Sequence, residues 1–283
     1  MTRALPHVSG TLTGAQLTST AHQIASHQLP DGLIPWFDGH HADPWDHIEA
    51  AMALTVCGLD GVAARAFEWS AKNQSADGSW PMETVGRVIR ETTTDANQCA
   101  YLATGVWHHW LITGNRKSTE QMWPVVRRAI NFVIDMKQPS GAIAWARSPS
   151  GEASTDALLT GSACMVLSLR CALALADWIG DPQPHWELAA ARLAHAVAVH
   201  PDAFLDRSRF SMDWYYPVLG GAVRGPAAVS RINHRWNEFV VAGMGIRCVS
   251  DRPWVTAAES CELALALDAI GDTERARVLL HDI

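Results

Sequence analysis

The sequence predicts an all-α protein, an α/α toroid of five to six helical hairpins with short extended segments at the turns. Three observations carry this. A Gln–Gly–Trp pattern recurs just after helix ends. Helical stretches rich in small and apolar residues alternate with amphipathic ones. Runs of β-branched residues are too sparse for a sheet, although 239–250 has room for a short extended piece.

The recurring pattern reads Gln28-Leu-Pro-Asp-Gly32-Leu-Ile-Pro-Trp36, then Gln74-Ser-Ala-Asp-Gly78-Ser-Trp80, then Gln138-Pro-Ser-Gly141-Ala-Ile-Ala-Trp145. A glycine allows the positive φ that ends a helix and turns the chain, and a repeat of this kind marks a stacked architecture. Apolar helices are expected at about 45–58, 95–112, 160–178, 213–222 and 256–270; helices apolar nearly all round are buried. Amphipathic partners are expected at about 13–27, 61–73, 118–136, 186–199, 228–242 and 273–282. Inner helices alternating with outer ones describe a ring of hairpins, read as one domain over 1–283.

Composition narrows the function. The 283 residues are 48% hydrophobic, with a net charge of -7 and no basic cluster. A phosphate backbone requires clustered Lys and Arg, so nucleic acid is excluded as a partner. The first twelve residues lack the apolar core of a secretory signal, and no run reaches the roughly 18 apolar residues of a membrane span. The six cysteines include no CxxC pair, and Cys57, Cys164 and Cys171 lie in apolar helical text; buried thiols of a cytoplasmic protein are expected. His108-His109 stand on adjacent helical positions, about 100° apart, and no phosphate loop or HExxH is present. No metal and no cofactor are expected. Tryptophan is the outlier, 13 against 3 Tyr and 6 Phe. Part of this set packs the core; the rest suits stacking platforms for sugar faces or walls around a carbocation.

In a ring of hairpins the residues entering the inner helices line one mouth of the cavity. Those positions hold Asp43, Trp45, Asp46 and Glu49, then Asp95 and Asn97, then Asp213, Trp214 and Tyr215, then Arg252, Trp254, Glu259 and Glu262. Asp43, Asp95 and Asp213 are equally readable as helix N-caps. Asp46 and Glu49 share a helix face, as do Glu259 and Glu262. Glu262 sits in apolar text beside Cys261 and Leu263, where a carboxyl group needs a partner or a task.

Two resemblances add to this. The stretch Arg65-Ala-Phe-Glu-Trp-Ser-Ala-Lys-Asn-Gln74 to Trp80 resembles the QW motif of squalene and terpene cyclases and protein prenyltransferases, a structural motif that implies the toroid. The Asp-x-Asp-Asp acid motif of class II cyclases is absent; Asp95-Ala-Asn97 is the nearest text. Over nearly its full length, from Asp43-Pro-Trp-Asp46 through Ala100-Tyr-Leu-Ala-Thr-Gly-Val-Trp-His-His-Trp and Ser211-Met-Asp-Trp-Tyr-Tyr-Pro to Ser250-Asp-Arg-Pro-Trp and Glu262, the chain resembles the actinobacterial family of methylmannose polysaccharide hydrolases. That resemblance implies an α/α-barrel glycoside hydrolase making internal cuts in α-1,4-linked, 3-O-methylated mannose chains in the cytoplasm.

The reading is hydrolysis of a glycosidic bond by two carboxyl groups, with an oligo- or polysaccharide as partner. Glu262 is expected to protonate the leaving oxygen and Asp46 to activate water, with Glu259 the first alternative to Glu262. Asp43, Glu49, Asp95, Asn97, Asp213, Arg252 and Glu259 are expected to bind hydroxyls or tune the pair. Trp45, Trp80, Trp145, Trp214, Tyr215 and Trp254 are the expected sugar platforms. The competing readings are a terpenoid or prenyl-handling protein and a non-catalytic glycan-binding toroid.

Overall fold

The computed structural model describes residues 4–283. Twelve α-helices occur among the described residues: α1 (Gly14–His27), α2 (Pro44–Val56), α3 (Asp60–Lys72), α4 (Ala96–Thr113), α5 (Arg116–Ile134), α6 (Leu159–Ile179), α7 (Pro184–Val199), α8 (Ser211–Leu219), α9 (Gly225–His234), α10 (Trp236–Phe239), α11 (Ala257–Ala269) and α12 (Thr273–Asp282). The eleven predicted helices are all present, and the one expected at 228–242 is divided at Arg235 into α9 and α10. Short strands occupy the turns: β1 (Glu83–Val85) with β2 (Val88–Glu91), β3 (Thr94–Asp95) with β4 (Ala146–Arg147), and β5 (Val240–Val241), β6 (Gly245–Arg247) and β7 (Val255–Thr256), all antiparallel. The last three form a small sheet within and just after the stretch expected to hold one extended piece.

The described chain divides into two compact units that interleave in sequence. One holds the chain up to Lys137, Ile143–Thr155 and Ser168–Ala189; the other holds Gln138–Ala142, Asp156–Leu167 and Ala190–Ile283. In the first unit α2 pairs with α3, α4 pairs with α5, and α2 packs on α4. Helix α4 is buried on nearly every side from Ala96 to Val106, whereas α5 buries one stripe that includes Met122, Val126, Ala129, Ile130 and Val133. Inner and outer helices are thus distinguished as the text predicts. In the second unit α8 packs on α9 and on α11, and α11 pairs with α12. Here one expectation fails. Helix α11 is not buried all round, because its neighbours cover only the stripe of Ser260, Leu263, Ala264, Ala266 and Leu267, and Leu265 stays 62% exposed.

The Gln–Gly repeat is a physical joint. Gln28 donates from its amide to the carbonyls of Gly32 and Val62, and Gln74 donates to those of Gly78 and Val125. Each glutamine therefore closes its own turn and ties it to the next outer helix, α3 or α5. Gly32 and Gly78 have φ of 106° and 99°, and a Cβ at either would collide with the carbonyl of Arg65 or Arg128. Only glycine meets both conditions.

Helix α6 corrects the expectation about membrane spans. It is long and apolar enough to cross a bilayer by length and composition, yet most of that window is buried inside the protein, as in a core helix. Cys99, Cys164 and Cys171 are buried, Cys57 is half-buried, and all six thiols are free.

Candidate active site

In the first unit the site is built around the start of α2. Asp43 is the N-cap of this helix, with Pro44 at its first position. Its Oδ1 accepts from the backbone N–H groups of Trp45 (2.8 Å) and Asp46 (3.0 Å), and its Oδ2 accepts from the indole N–H of Trp36 (2.7 Å). Three N–H donors aimed at two oxygens are the surroundings of a carboxylate. Further along α2, Glu49 Oε1 accepts from the indole N–H of Trp45 (2.8 Å) and from the Tyr101 hydroxyl (2.9 Å), and the Trp45 and Tyr101 rings lie 5.4 Å apart.

Asp46 stands between these two acids. Desolvation, the nearby Asp43 carboxylate and the charge of Glu49 push its carboxyl up to about 8. The side chain opens onto a recess, so solvent moderates the rise, but two flanking carboxylates fix its direction. That recess has a volume of about 440 Å³, and Ile24, Ile34, Trp36, Phe37 and Ala50 line it together with Asp46. His47, the next residue, turns inward. Its Nδ1 accepts from the Ile34 N–H and its Nε2 meets the Ala66 carbonyl, and full burial lowers it to about 4. It is a neutral strut that fixes the Ile34 loop to α2 and α3.

Asp95 and Asn97 enter α4. Asp95 caps this helix through the Gln98 N–H (3.0 Å), and burial raises its carboxyl to about 6. Asn97 is buried, and its Oδ1 has no hydrogen-bond partner. Trp145 is half-buried, and its carbonyl accepts from the Ala96 N–H.

In the second unit the central group is Glu262, half-buried on α11. The hydroxyls of Tyr215 and Tyr216, both on α8, donate to its Oε2 and Oε1 in short hydrogen bonds. Burial first, with the Glu262 charge contributing, holds both phenols well above their ordinary range, so they remain donors. Glu259, one turn earlier, faces Cys248; desolvation and the Glu259 carboxylate push that thiol up to about 12, far from a nucleophilic thiolate.

Several expected ligand residues are buried and hydrogen-bonded within the fold. Trp80 is 2% exposed and spends its indole N–H on the Ser70 carbonyl, so it offers no face to a sugar. Trp214 is 1% exposed, donates to the Arg231 carbonyl and stacks on Phe239. Asp213 is buried in the first turn of α8, where its Oδ1 accepts from the Thr160 N–H and hydroxyl, joining α8 to α6. Tyr215 is fully buried and acts through its hydroxyl, not its ring face. Arg252 and Trp254 are exposed on the loop between β6 and β7.

Sequence reasoning missed Trp36, Phe37, Tyr101 and Tyr216. The tyrosines had a signal. The chain has 3 Tyr, and each donates its hydroxyl to a glutamate of the two clusters. A residue so scarce beside 13 Trp is placed for its hydroxyl.

Each cluster offers a carboxyl group able to exchange a proton. No protein-family model matches the chain. It is 62% identical over 273 residues, 96% of its length and 76% of the relative's, to the MMP endo-(1,4)-3-O-methyl-alpha-D-mannosidase of Mycolicibacterium hassiacum. Among solved structures, it superimposes on the GH63 mannosylglycerate hydrolase of Thermus thermophilus with a TM-score of 0.73, at 13% identity, covering 94% of this chain and 90% of that one. A second glycosidase matches with a TM-score of 0.73 at 16% identity, over 95% of this chain and 81% of that one. The helical-hairpin fold class read from the sequence is shared with these α/α-barrel glycosidases.

Proposed function

Because the chain belongs to the family of the MMP endo-(1,4)-3-O-methyl-alpha-D-mannosidase and is a glycoside hydrolase, we propose that it cuts internal α-1,4 bonds in chains of 3-O-methylated mannose, with Asp46 and Glu262 as its two working carboxyl groups. The observation that carries the assignment of roles is the contrast in their surroundings. Asp46 lies among carboxylates, which favours its protonated form. Glu262 lies under two phenol donors, which favour a charged acceptor. The roles expected from the sequence are therefore exchanged. Asp46 protonates the glycosidic oxygen as the bond to the anomeric carbon breaks, and Glu262 takes a proton from the attacking water.

Tyr215 and Tyr216 are positioning residues for Glu262; Asp43 and Glu49 do the same for Asp46. Asn97 Oδ1 is free to accept from a sugar hydroxyl. We read the chain as one catalytic domain, and six cysteines without a disulfide suit a reducing cytoplasm. The prenyl and lectin readings fall with the family assignment. The deciding experiment incubates the protein with a 3-O-methylated α-1,4-manno-oligosaccharide and follows the products by mass spectrometry. Shorter methylated oligosaccharides are expected; an uncut substrate, or release of single terminal sugars alone, overturns the endo-mannosidase reading.

A further inference from the structure

We propose that the recess beside Asp46 is a binding subsite for a methyl ether, and that it receives the 3-O-methyl group of the sugar whose O4 is the scissile oxygen. This rests on the endo-mannosidase reading above and adds the residues that select for methylation. The starting point is the chemistry of a (1→4) chain. The oxygen protonated in the reaction is O4 of the leaving sugar, and O3 is on the adjacent carbon of the same ring. An acid that reaches O4 therefore has the substituent on O3 as its immediate neighbour. On the recess side of Asp46 the lining is mostly apolar: Ile24, Ile34, Pro35, Trp36, Phe37 and Ala50, with His27 among them.

The wall is held in place before any ligand arrives. The Trp36 indole is tied to Asp43 at 2.7 Å, and the following loop is tied to α1 by His27 and Asp38 at 2.7 Å. His40 supports the Phe37 ring from one side, with centroids 4.2 Å apart. Trp36 and Phe37 nonetheless remain 54% and 53% exposed. Two large apolar rings left open beside an acid, on a fixed loop, form a surface that a methyl group can cover. An unmethylated O3 hydroxyl laid against these two ring faces loses water without gaining a partner there. Discrimination of one methyl group in such a site is roughly 10–200-fold.

The test compares kcat/KM on two α-1,4-manno-oligosaccharides of equal length, one 3-O-methylated and one not. The full chain is assayed as wild type, as Phe37→Ala, which opens the wall, and as Ala50→Leu, which fills the recess one turn beyond Asp46. Wild type is expected to prefer the methylated chain at least tenfold, and each variant to lower that preference about fivefold or more. Phe37 is half-exposed, so its truncation does not threaten folding, and circular dichroism melts check both variants. If wild type cuts the methylated chain but both variants keep its preference, or if wild type has no preference, the subsite is wrong while the endo-mannosidase reading stands. If wild type cuts neither chain, the endo-mannosidase reading fails and takes the subsite with it.

Discussion

Asp46 lies in the first turn of α2 and Glu262 in the second turn of α11, both in helices rich in alanine, and their surroundings are opposite in kind. Around Asp46 the nearest charged groups are Asp43 and Glu49, whose donors are Trp36, Trp45, Tyr101 and two backbone N–H groups; the Trp36 indole also favours the charged form of Asp46, but more weakly than burial and the two acids disfavour it. Burial, with the two acids beside it, raises the proton affinity of Asp46. Around Glu262 two phenols donate, one to each oxygen. The lesson is that an acid and a base can be made from the same functional group by deciding where the hydrogen-bond donors go. In the first unit they go to the neighbours of the proposed acid; in the second they go to the proposed base itself.

The strongest way to break this comparison is to remove each carboxyl group. Asp46→Asn and Glu262→Gln are each expected to lower kcat by about 10²–10⁴-fold with the fold retained. Steady-state rates on the methylated oligosaccharide, with circular dichroism as the folding check, are the measurement. If either variant retains more than half the wild-type activity, that residue has no catalytic role, and Glu259 is the first replacement on the α11 side.

The tyrosines come next. Tyr215→Phe and Tyr216→Phe each take one donor from Glu262 and keep the ring. A hydrogen bond to a charged group contributes about 1.5–3 kcal/mol, so a loss of roughly 10–100-fold in kcat is expected for each. Unchanged kcat in both variants would make the phenols mere packing and leave Glu262 without its defining feature.

How much of this could be read from the sequence depends on whether a residue acts locally. The helices were legible because periodicity and capping are local: Asp43 and Asp95 cap α2 and α4 as their positions suggest. The Gln28 and Gln74 joints were legible because the repeat displays them. The fates of the tryptophans were not, since the repeat shows only that a Trp follows each turn, four residues after Gly32 and two after Gly78, and the packing of neighbouring helices leaves Trp36 open and buries Trp80. The tie made by Asp213 was hidden for a related reason. Its partner, Thr160, is 53 residues away, and no local signal separates a cross-helix tie from a ligand contact. The protonation roles proposed for Asp46 and Glu262 were out of reach because they rest on donors from other elements, above all Tyr101, Tyr215 and Tyr216.

A smaller effect sharpens the first half of the comparison. Asp46 must carry a proton to act as the acid, so activity is present below its folded-state value and falls as pH rises through about 8. Asp43 raises that value both by its charge and by its hydrogen bond. Asp43→Asn keeps a side chain able to cap α2 but removes the charge, so the alkaline limb of kcat/KM moves to lower pH, by about one unit. The variant then stays close to wild type near pH 5 and loses roughly fivefold near pH 8, approaching roughly tenfold at higher pH. An alkaline limb that does not move would mean that Asp43 does not set the proton affinity of the acid.

The smallest expected effect is none, and it tests the premise of the comparison. Asp43, Asp46 and Glu49 follow one another along the start of α2, and a run of carboxyl groups at one helix start invites the alternative that a divalent cation sits among them. A bound Mg²⁺ or Ca²⁺ would invert the argument, because a cation beside Asp46 lowers its proton affinity and disqualifies it as an acid. The hydrogen bonds argue against a cation. Asp43 uses both oxygens on N–H donors and Glu49 uses Oε1 on two more donors, so few lone pairs remain to be aimed at a common point, whereas Ca²⁺ takes six to eight oxygens. Protonation of an acetal oxygen by a carboxylic acid is also sufficient without a Lewis acid. Hydrolysis of the methylated oligosaccharide is therefore expected to survive dialysis against EDTA with its rate and its alkaline limb unchanged. The assay then adds Mg²⁺, Ca²⁺ and Mn²⁺ in turn. Activity lost on chelation and restored by one of them would place a cation in the cluster, and Asp46 would have to be a ligand to it instead of the proton donor.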